Sequence, residues 1–251
     1  MSLEFSHLLK IARDSVEERG LVQTLRQGPK YVATYLSRRK AWEKLEEADG
    51  FDKKYGTDTT SMVGPAEFGV SPEKVRYSTK YIATLPRTFE RIMNAMDICF
   101  EDYTFIDFGS GKGRVLLLAS ELPFKRVVGV ELSPRLHEIA QRNVQIFGAG
   151  TQQRHKIELV CTDATAYALP AENTVFYFFD PFELPILRAV IENIRQSLQG
   201  NQHRIFIAYV NPTYSVAMDR SGFLERIHAY HGGPPESAAE YPWSIYTNKV
   251  A

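Results

Sequence analysis

Cysteine is scarce in this chain: Cys99 and Cys161 stand alone among 251 residues. Both lie in apolar contexts, D-I-C-F and L-V-C-T, which read as buried free thiols rather than a disulfide and favour a reducing compartment. Charge of either sign is missing in excess, since Lys plus Arg and Asp plus Glu number 30 each. No global field therefore recruits nucleic acid or an anionic membrane. No apolar run approaches the ~18 residues of a membrane-spanning helix, and the first residues lack the basic and apolar segments of a secretory signal. The expected location is cytoplasmic. None of the six histidines falls in His-x-x-x-His or at metal-ligand spacing with cysteine, so no metal is expected. Ser110 has no Gly-x-Ser-x-Gly context, which removes support for nucleophilic hydrolysis.

What is present centres on Phe105 to Ser120, F-I-D-F-G-S-G-K-G-R-V-L-L-L-A-S. The spacing predicts a buried strand ending at Phe108 and a helix that becomes apolar from Val115. Gly109, Gly111 and Gly113 alternate with Ser110 and Lys112 between them, and a helix N-terminus follows. Such a turn brings backbone amides close to a small anionic or polar ligand. A dinucleotide loop would need a third glycine at position 114, and Arg114 stands there.

Upstream, residues 3–18 and 21–48 carry apolar side chains at helical spacing and read as a helical extension. From Asp49 to Pro72, glycine, proline, aspartate and threonine break every period. That stretch reads as an extended connector, either a binding lid or a plain linker. Pro86 opens a helical pattern with Phe89, Ile92, Met93 and Met96 on one face. Strands and helices then alternate: strands over Tyr103–Phe108, Arg126–Glu131, Ile157–Cys161, Val175–Phe179 and Arg204–Val210; helices over Arg114–Glu121, Pro134–Phe147 and Leu184–Leu198. Alternation of this kind means βαβ units and a parallel sheet covered on both faces. Gly222–Tyr230 and Tyr241–Asn248 read as two strands without a crossover helix, hence an antiparallel pair. The expected fold is α/β: a doubly wound, mostly parallel seven-stranded sheet with antiparallel terminal strands. A helical extension with connector over 1–80 precedes a domain over 81–251.

Carboxylates stand at the predicted strand ends, where ligands gather in open sheets: Asp107, Glu131, Asp163 and Asp180. Glu131, 18 residues past Gly113, suits two ribose hydroxyls as a bidentate acceptor.

Asp-x-Gly-x-Gly-x-Gly from Asp107 to Gly113 resembles motif I of the class I S-adenosylmethionine-dependent methyltransferases, and the strand count over residues 80–251 resembles their seven-stranded sheet. The resemblance implies S-adenosyl-L-methionine as cofactor, held by Asp107, Gly109, Ser110, Gly111, Gly113, Glu131 and Leu132. It also implies that Asp163 and Ala164 meet the adenine, with a cap or turn residue as the other reading of Asp163. Asp180-Pro181-Phe182 resembles the Asp/Asn-Pro-Pro-Tyr/Phe motif of amino-group methyltransferases, with one proline missing; a simple turn is the other reading. The resemblance gives Asp180 the acceptor nitrogen. Tyr81 and Thr84, in Y-I-A-T-L-P, resemble a segment of small seven-stranded lysine methyltransferases that lines the methionine end of the pocket, with Ala83 in place of its first proline; core packing is the other reading of Tyr81. The expected activity is methyl transfer by in-line displacement to an amine of a protein lysine or a small molecule, with Asp180 and Tyr81 at the chemistry. A nucleic-acid methyltransferase, disfavoured by the neutral charge and the missing proline, and a non-catalytic S-adenosylmethionine-binding protein are the alternatives.

Overall fold

The computed structural model describes residues 50–60, 63, 68–71, 81–150, 157–199, 203–232 and 240–249. The helices expected over 3–18 and 21–48 lie outside the described residues. Seven strands form one sheet: β1 (Thr104–Phe108), β2 (Arg126–Glu131), β3 (Ile157–Cys161), β4 (Thr174–Phe179), β5 (Ile205–Val210), β6 (Leu224–Tyr230) and β7 (Trp243–Asn248). Their order is β3-β2-β1-β4-β5-β7-β6. Pairing is parallel from β3 through β5 and antiparallel where β7 meets β5 and β6.

Alternation along the central strands sorts two cores. Phe105, Val175, Tyr177, Phe206 and Ala208 enter one, and Ile106, Phe108, Phe176, Phe178, Ile205 and Ile207 enter the other. Period-two side-chain direction explains the split: both faces are apolar, so the strands read as continuous hydrophobic runs. Five helices complete the described fold: α1 (Phe51–Tyr55), α2 (Pro86–Asn94), α3 (Arg114–Ser120), α4 (Pro134–Gly150) and α5 (Leu184–Ser197), with a short α6 (Ser215–Asp219) before β6 as a sixth. Phe89, Ile92 and Met93 of α2, Val115 to Leu118 of α3, and Phe147 of α4 cover the first face. Leu187, Val190, Ile191 and Ile194 of α5 cover the second.

The chain leaves β1 toward β2 and β3 on one side and toward β4 and β5 on the other. Right-handed crossovers then put the intervening helices on opposite faces and open a crevice beyond the carboxyl ends of β1 and β4.

Two expectations need correction. The connector is not wholly irregular, because Phe51–Tyr55 is helical; Phe51 is buried in the core and Tyr55 packs on Phe147 with ring centroids 4.8 Å from Phe51 and 4.9 Å from Phe147. Its two aromatics found a hydrophobic surface on α4 that no local period signals. Cys99 and Cys161 are exposed free thiols rather than buried ones. Cys161 ends the edge strand β3, which has a neighbour on one side only, and Cys99 sits in the turn before a 3-10 segment with its Sγ 3.1 Å from Glu101. Helix α6 is five residues long, too short to show a period in the sequence.

Candidate cofactor cleft

Beyond the strand ends lies a cleft of about 1080 Å³, its open mouth included, bounded by the glycine loop, the ends of β2, β3 and β4, and residues 68–70 and 81–84. Asp107, Gly109, Ser110, Gly111, Glu131, Leu132, Asp163, Ala164, Tyr81 and Thr84 all line it. Gly113 and Asp180, also expected at the site, do not line it.

The glycine loop leaves β1 with Gly109, Gly111 and Gly113 at φ 75°, 55° and 86°, a backbone path that side chains resist. At Gly111 close approach adds to conformation, because a Cβ would stand 2.2 Å from the Tyr81 ring. Gly111→Ala is therefore expected to lower stability by about 1–3 kcal/mol through overpacking and the thermal midpoint by several degrees; a midpoint equal to wild type in differential scanning calorimetry would refute the contact.

Glu131 is 7% exposed and welds the loop to β2. Its Oε2 accepts from the Gly111 amide and its Oε1 from the Ser133 amide, both at 2.8 Å. Burial pushes its pKa up, and those amides pull it part of the way back. Asp107 is 4% exposed, and among the described residues no donor reaches its carboxyl group. Burial, and then the neighbouring Glu131 charge, hold its pKa well above the ordinary value. Asp163 lines the cleft, and its Oδ1 caps the following 3-10 turn by accepting from the Thr165 amide at 3.1 Å and hydroxyl at 2.8 Å. Thr84 shares a hydrogen bond of 3.0 Å with the Tyr177 hydroxyl, whose pKa burial raises. The Tyr81 hydroxyl donates to the Thr59 carbonyl at 2.8 Å.

Asp180 is placed differently from the reading of its motif. Its carboxylate accepts from the Tyr209 hydroxyl at 3.1 Å, the Asn211 amide at 3.0 Å and the Thr213 hydroxyl at 2.6 Å, which ties the turn after β4 to the turn after β5. Asp180 and Asn211 both adopt positive φ, 42° and 50°, a conformation that costs ordinary side chains energy and persists where surrounding bonds enforce it. The effect is to present Phe179, Pro181 and Phe182 to the cleft. Pro181 packs against the glycine loop so closely that a Cβ on Gly109 would stand 2.6 Å from it. Sequence reasoning missed Phe68, Val70, Pro181 and Ile186 as lining residues; of these, only Pro181 sat in a motif that pointed to the site.

The lining is rich in acceptors: a buried carboxyl that no donor among the described residues reaches at one end, a carboxylate held by backbone amides in the middle, and a third carboxylate beside Leu132 and Ala164. That order complements an ammonium group, two vicinal hydroxyls and an aromatic amine on a flat ring. These are the groups that S-adenosyl-L-methionine presents, so the residues fit it.

Sheet order and cleft together are those of an open, Rossmann-like α/β fold with its crevice at the strand ends. Residues 105–201 match the family model described as a methyltransferase domain. Over 93 residues it is 34% identical to the release factor glutamine methyltransferase of Vibrio cholerae, a match that covers 36% of this chain and 32% of that protein. The chain thus aligns with about a third of that relative's length. Among solved structures it resembles the glycopeptide N-methyltransferase MtfA complexed with S-adenosyl-L-methionine, at TM-score 0.47 and 11% identity over 66% of this chain and 93% of that one. It also resembles the 23S rRNA methyltransferase ErmE, at TM-score 0.45 and 15% identity over 66% and 68%. The expectation against nucleic acid finds no support in these likenesses. Among the described residues, no helix is long and apolar enough to cross a membrane, and no cluster of His, Cys, Asp and Glu is suited to a metal ion.

Proposed function

We propose that this protein transfers the methyl group of S-adenosyl-L-methionine to an amine, in a protein lysine or a small molecule, seated against Phe179, Pro181 and Phe182. The observation that supports the reading best is the row of Asp107, Glu131 and Asp163 along one cleft, with the aromatic turn after β4 at its Asp107 end. Bound there, the cofactor would supply an electrophilic sulfonium methyl, with the acceptor's lone pair bonding to its carbon as the carbon–sulfur bond breaks and the electrons return to sulfur. The chain's own residues align the partners. Glu131 and Asp163 fix the nucleoside end, and Asp107 takes the ammonium. The aromatic faces of Phe179 and Phe182 favour a cationic centre over bulk water. The acceptor's proton leaves to solvent or to a carboxylate within reach. Alignment of this kind can lower a displacement barrier by ~7 kcal/mol or more.

Asp180 serves this reaction at one remove. By locking Tyr209, Asn211 and Thr213 it holds the turn that carries Pro181 and Phe182, so it is a positioning residue in this reading rather than the group on the nitrogen. Once an acceptor is found by labelled-methyl transfer to fractionated cell extract, Asp180→Ala is expected to lower kcat by about 100-fold, the cost of misplacing the turn by about an ångström. Binding of S-adenosylhomocysteine is expected to change by less than tenfold. Unchanged single-turnover transfer in this variant would remove the turn from the mechanism, and transfer to RNA rather than to an amine would change the acceptor.

A further inference from the structure

Arg114 occupies the first position of α3, directly after the glycine loop, and its side chain is 1% exposed. Nothing in methyl transfer as described calls for a buried guanidinium there. Burying one is costly unless hydrogen bonds replace its water, and the partners come from far upstream. Nε donates to the Thr59 hydroxyl at 2.7 Å and Nη2 to the Thr60 hydroxyl at 2.8 Å. The guanidinium lies over the Phe51 ring at 4.7 Å, with Nη2 3.8 Å from Asp52.

Asp52 organises those partners. Its Oδ1 accepts from the hydroxyls of Thr57 at 2.7 Å and Thr59 at 2.6 Å. Its Oδ2 accepts from the amides of Thr59 at 2.8 Å and Thr60 at 2.7 Å, and from the Thr60 hydroxyl at 2.6 Å. With their protons committed to Asp52, the Thr59 and Thr60 oxygens are left as acceptors for Arg114. The same segment reaches the loop at two further points. Lys112, 1% exposed, donates to Asp58 at 2.9 Å. The Thr59 carbonyl anchors Tyr81, whose ring closes on Gly111. Asn143 of α4 ties the two together, donating to the carbonyls of both Asp58 and Lys112 at 2.9 Å.

We propose that residues 51–60 are a positioning strap for the cofactor loop, in which Asp52 orders Thr57, Thr59 and Thr60, and Arg114, Lys112 and Tyr81 carry that order into residues 109–114. A loop with three glycines has much freedom to lose on binding a ligand. Ordering it beforehand removes that cost from the affinity. The effect on affinity rests on the reading of the cleft as an S-adenosylmethionine site; the effect on the loop does not. Burial alone pushes the Asp52 carboxyl up, but its hydroxyl and amide donors outweigh burial and hold its pKa below the ordinary value. A lowered folded-state pKa means the strap is fully supported at neutral pH and loosens as pH falls through that depressed value.

The test is amide hydrogen exchange read by mass spectrometry on the full chain without ligand, for wild type, Asp52→Asn and Tyr81→Phe, together with calorimetric titration by S-adenosylhomocysteine. Asp52→Asn is expected to speed exchange over residues 109–117 by tenfold or more, leave the peptides of β4 and β5 unchanged, and weaken S-adenosylhomocysteine by about tenfold. Tyr81→Phe, which keeps the ring and loses one hydrogen bond, is expected to change the same peptides in the same direction by less. Wild-type exchange over 109–117 in both variants would overturn the strap. Should Asp52→Asn unfold the whole chain, Tyr81→Phe decides by the same peptides. Should wild type fail to bind S-adenosylhomocysteine, the cofactor reading falls and the exchange result still decides the strap.

Discussion

Glu131→Ala is expected to weaken S-adenosylhomocysteine binding by about 100-fold or more. Two hydrogen bonds from ribose hydroxyls to a buried carboxylate contribute about 1.5–3 kcal/mol each, and each 1.4 kcal/mol is a factor of ten in affinity. The substitution also takes the acceptor from the Gly111 and Ser133 amides, both bound to this side chain at 2.8 Å. Loop geometry and ligand contact therefore fail together. Glu131→Gln keeps one acceptor oxygen and is expected to lose less, about tenfold. Calorimetry gives the affinities, and circular dichroism confirms that the sheet survives. Wild-type affinity in Glu131→Ala would mean that the ligand does not lie over the end of β2.

The second large effect is on protons. Asp107 is held well above the ordinary carboxyl pKa of 3.8 by burial and then by the Glu131 charge, so the free protein keeps this group neutral above pH 3.8. The sign follows directly: in the free chain its contribution to stability is present in acid and declines as pH rises from 3.8 through the raised value. An ammonium seated beside it reverses the preference and favours the carboxylate. Binding below the raised pKa therefore releases a proton, and affinity climbs with pH toward that value, by up to about tenfold per unit. Asp107→Asn is expected to abolish the released proton assigned to this group, flatten that part of the pH profile and lower affinity at neutral pH. Calorimetry in buffers of different ionisation enthalpy counts the protons. Equal proton release in wild type and Asp107→Asn would place the cationic group elsewhere.

Much of this architecture was legible in the residues, and the reasons separate the elements. Arg126–Glu131 and Ile157–Cys161 match the strands residue for residue, because β-branched residues stop abruptly at polar turns. The helix boundaries of α3 and α5 fall within a residue of expectation, since a glycine loop and Pro185 mark their starts. Glu131 and Asp107 were legible as cleft residues because strand ends in an open sheet point to the crevice whatever else surrounds them. Asp180 shows the limit: its tripeptide identified the turn, while the destination of its carboxylate depended on Tyr209, Asn211 and Thr213, about 30 residues on. The strap shows it more sharply. Thr57, Thr59 and Thr60 look like breakers between helices until Arg114, more than 50 residues away, supplies the reason for their spacing. Local pattern reports backbone preference; it is silent on which distant charge a row of hydroxyls will receive.

The identity of the cleft's ligand is tested by calorimetric titration of the purified full chain with S-adenosylhomocysteine and, separately, with NAD. The expected result is one S-adenosylhomocysteine per chain and no heat from NAD. Binding of NAD instead, or of neither, would contradict the assignment of the cleft and the mechanism built on it.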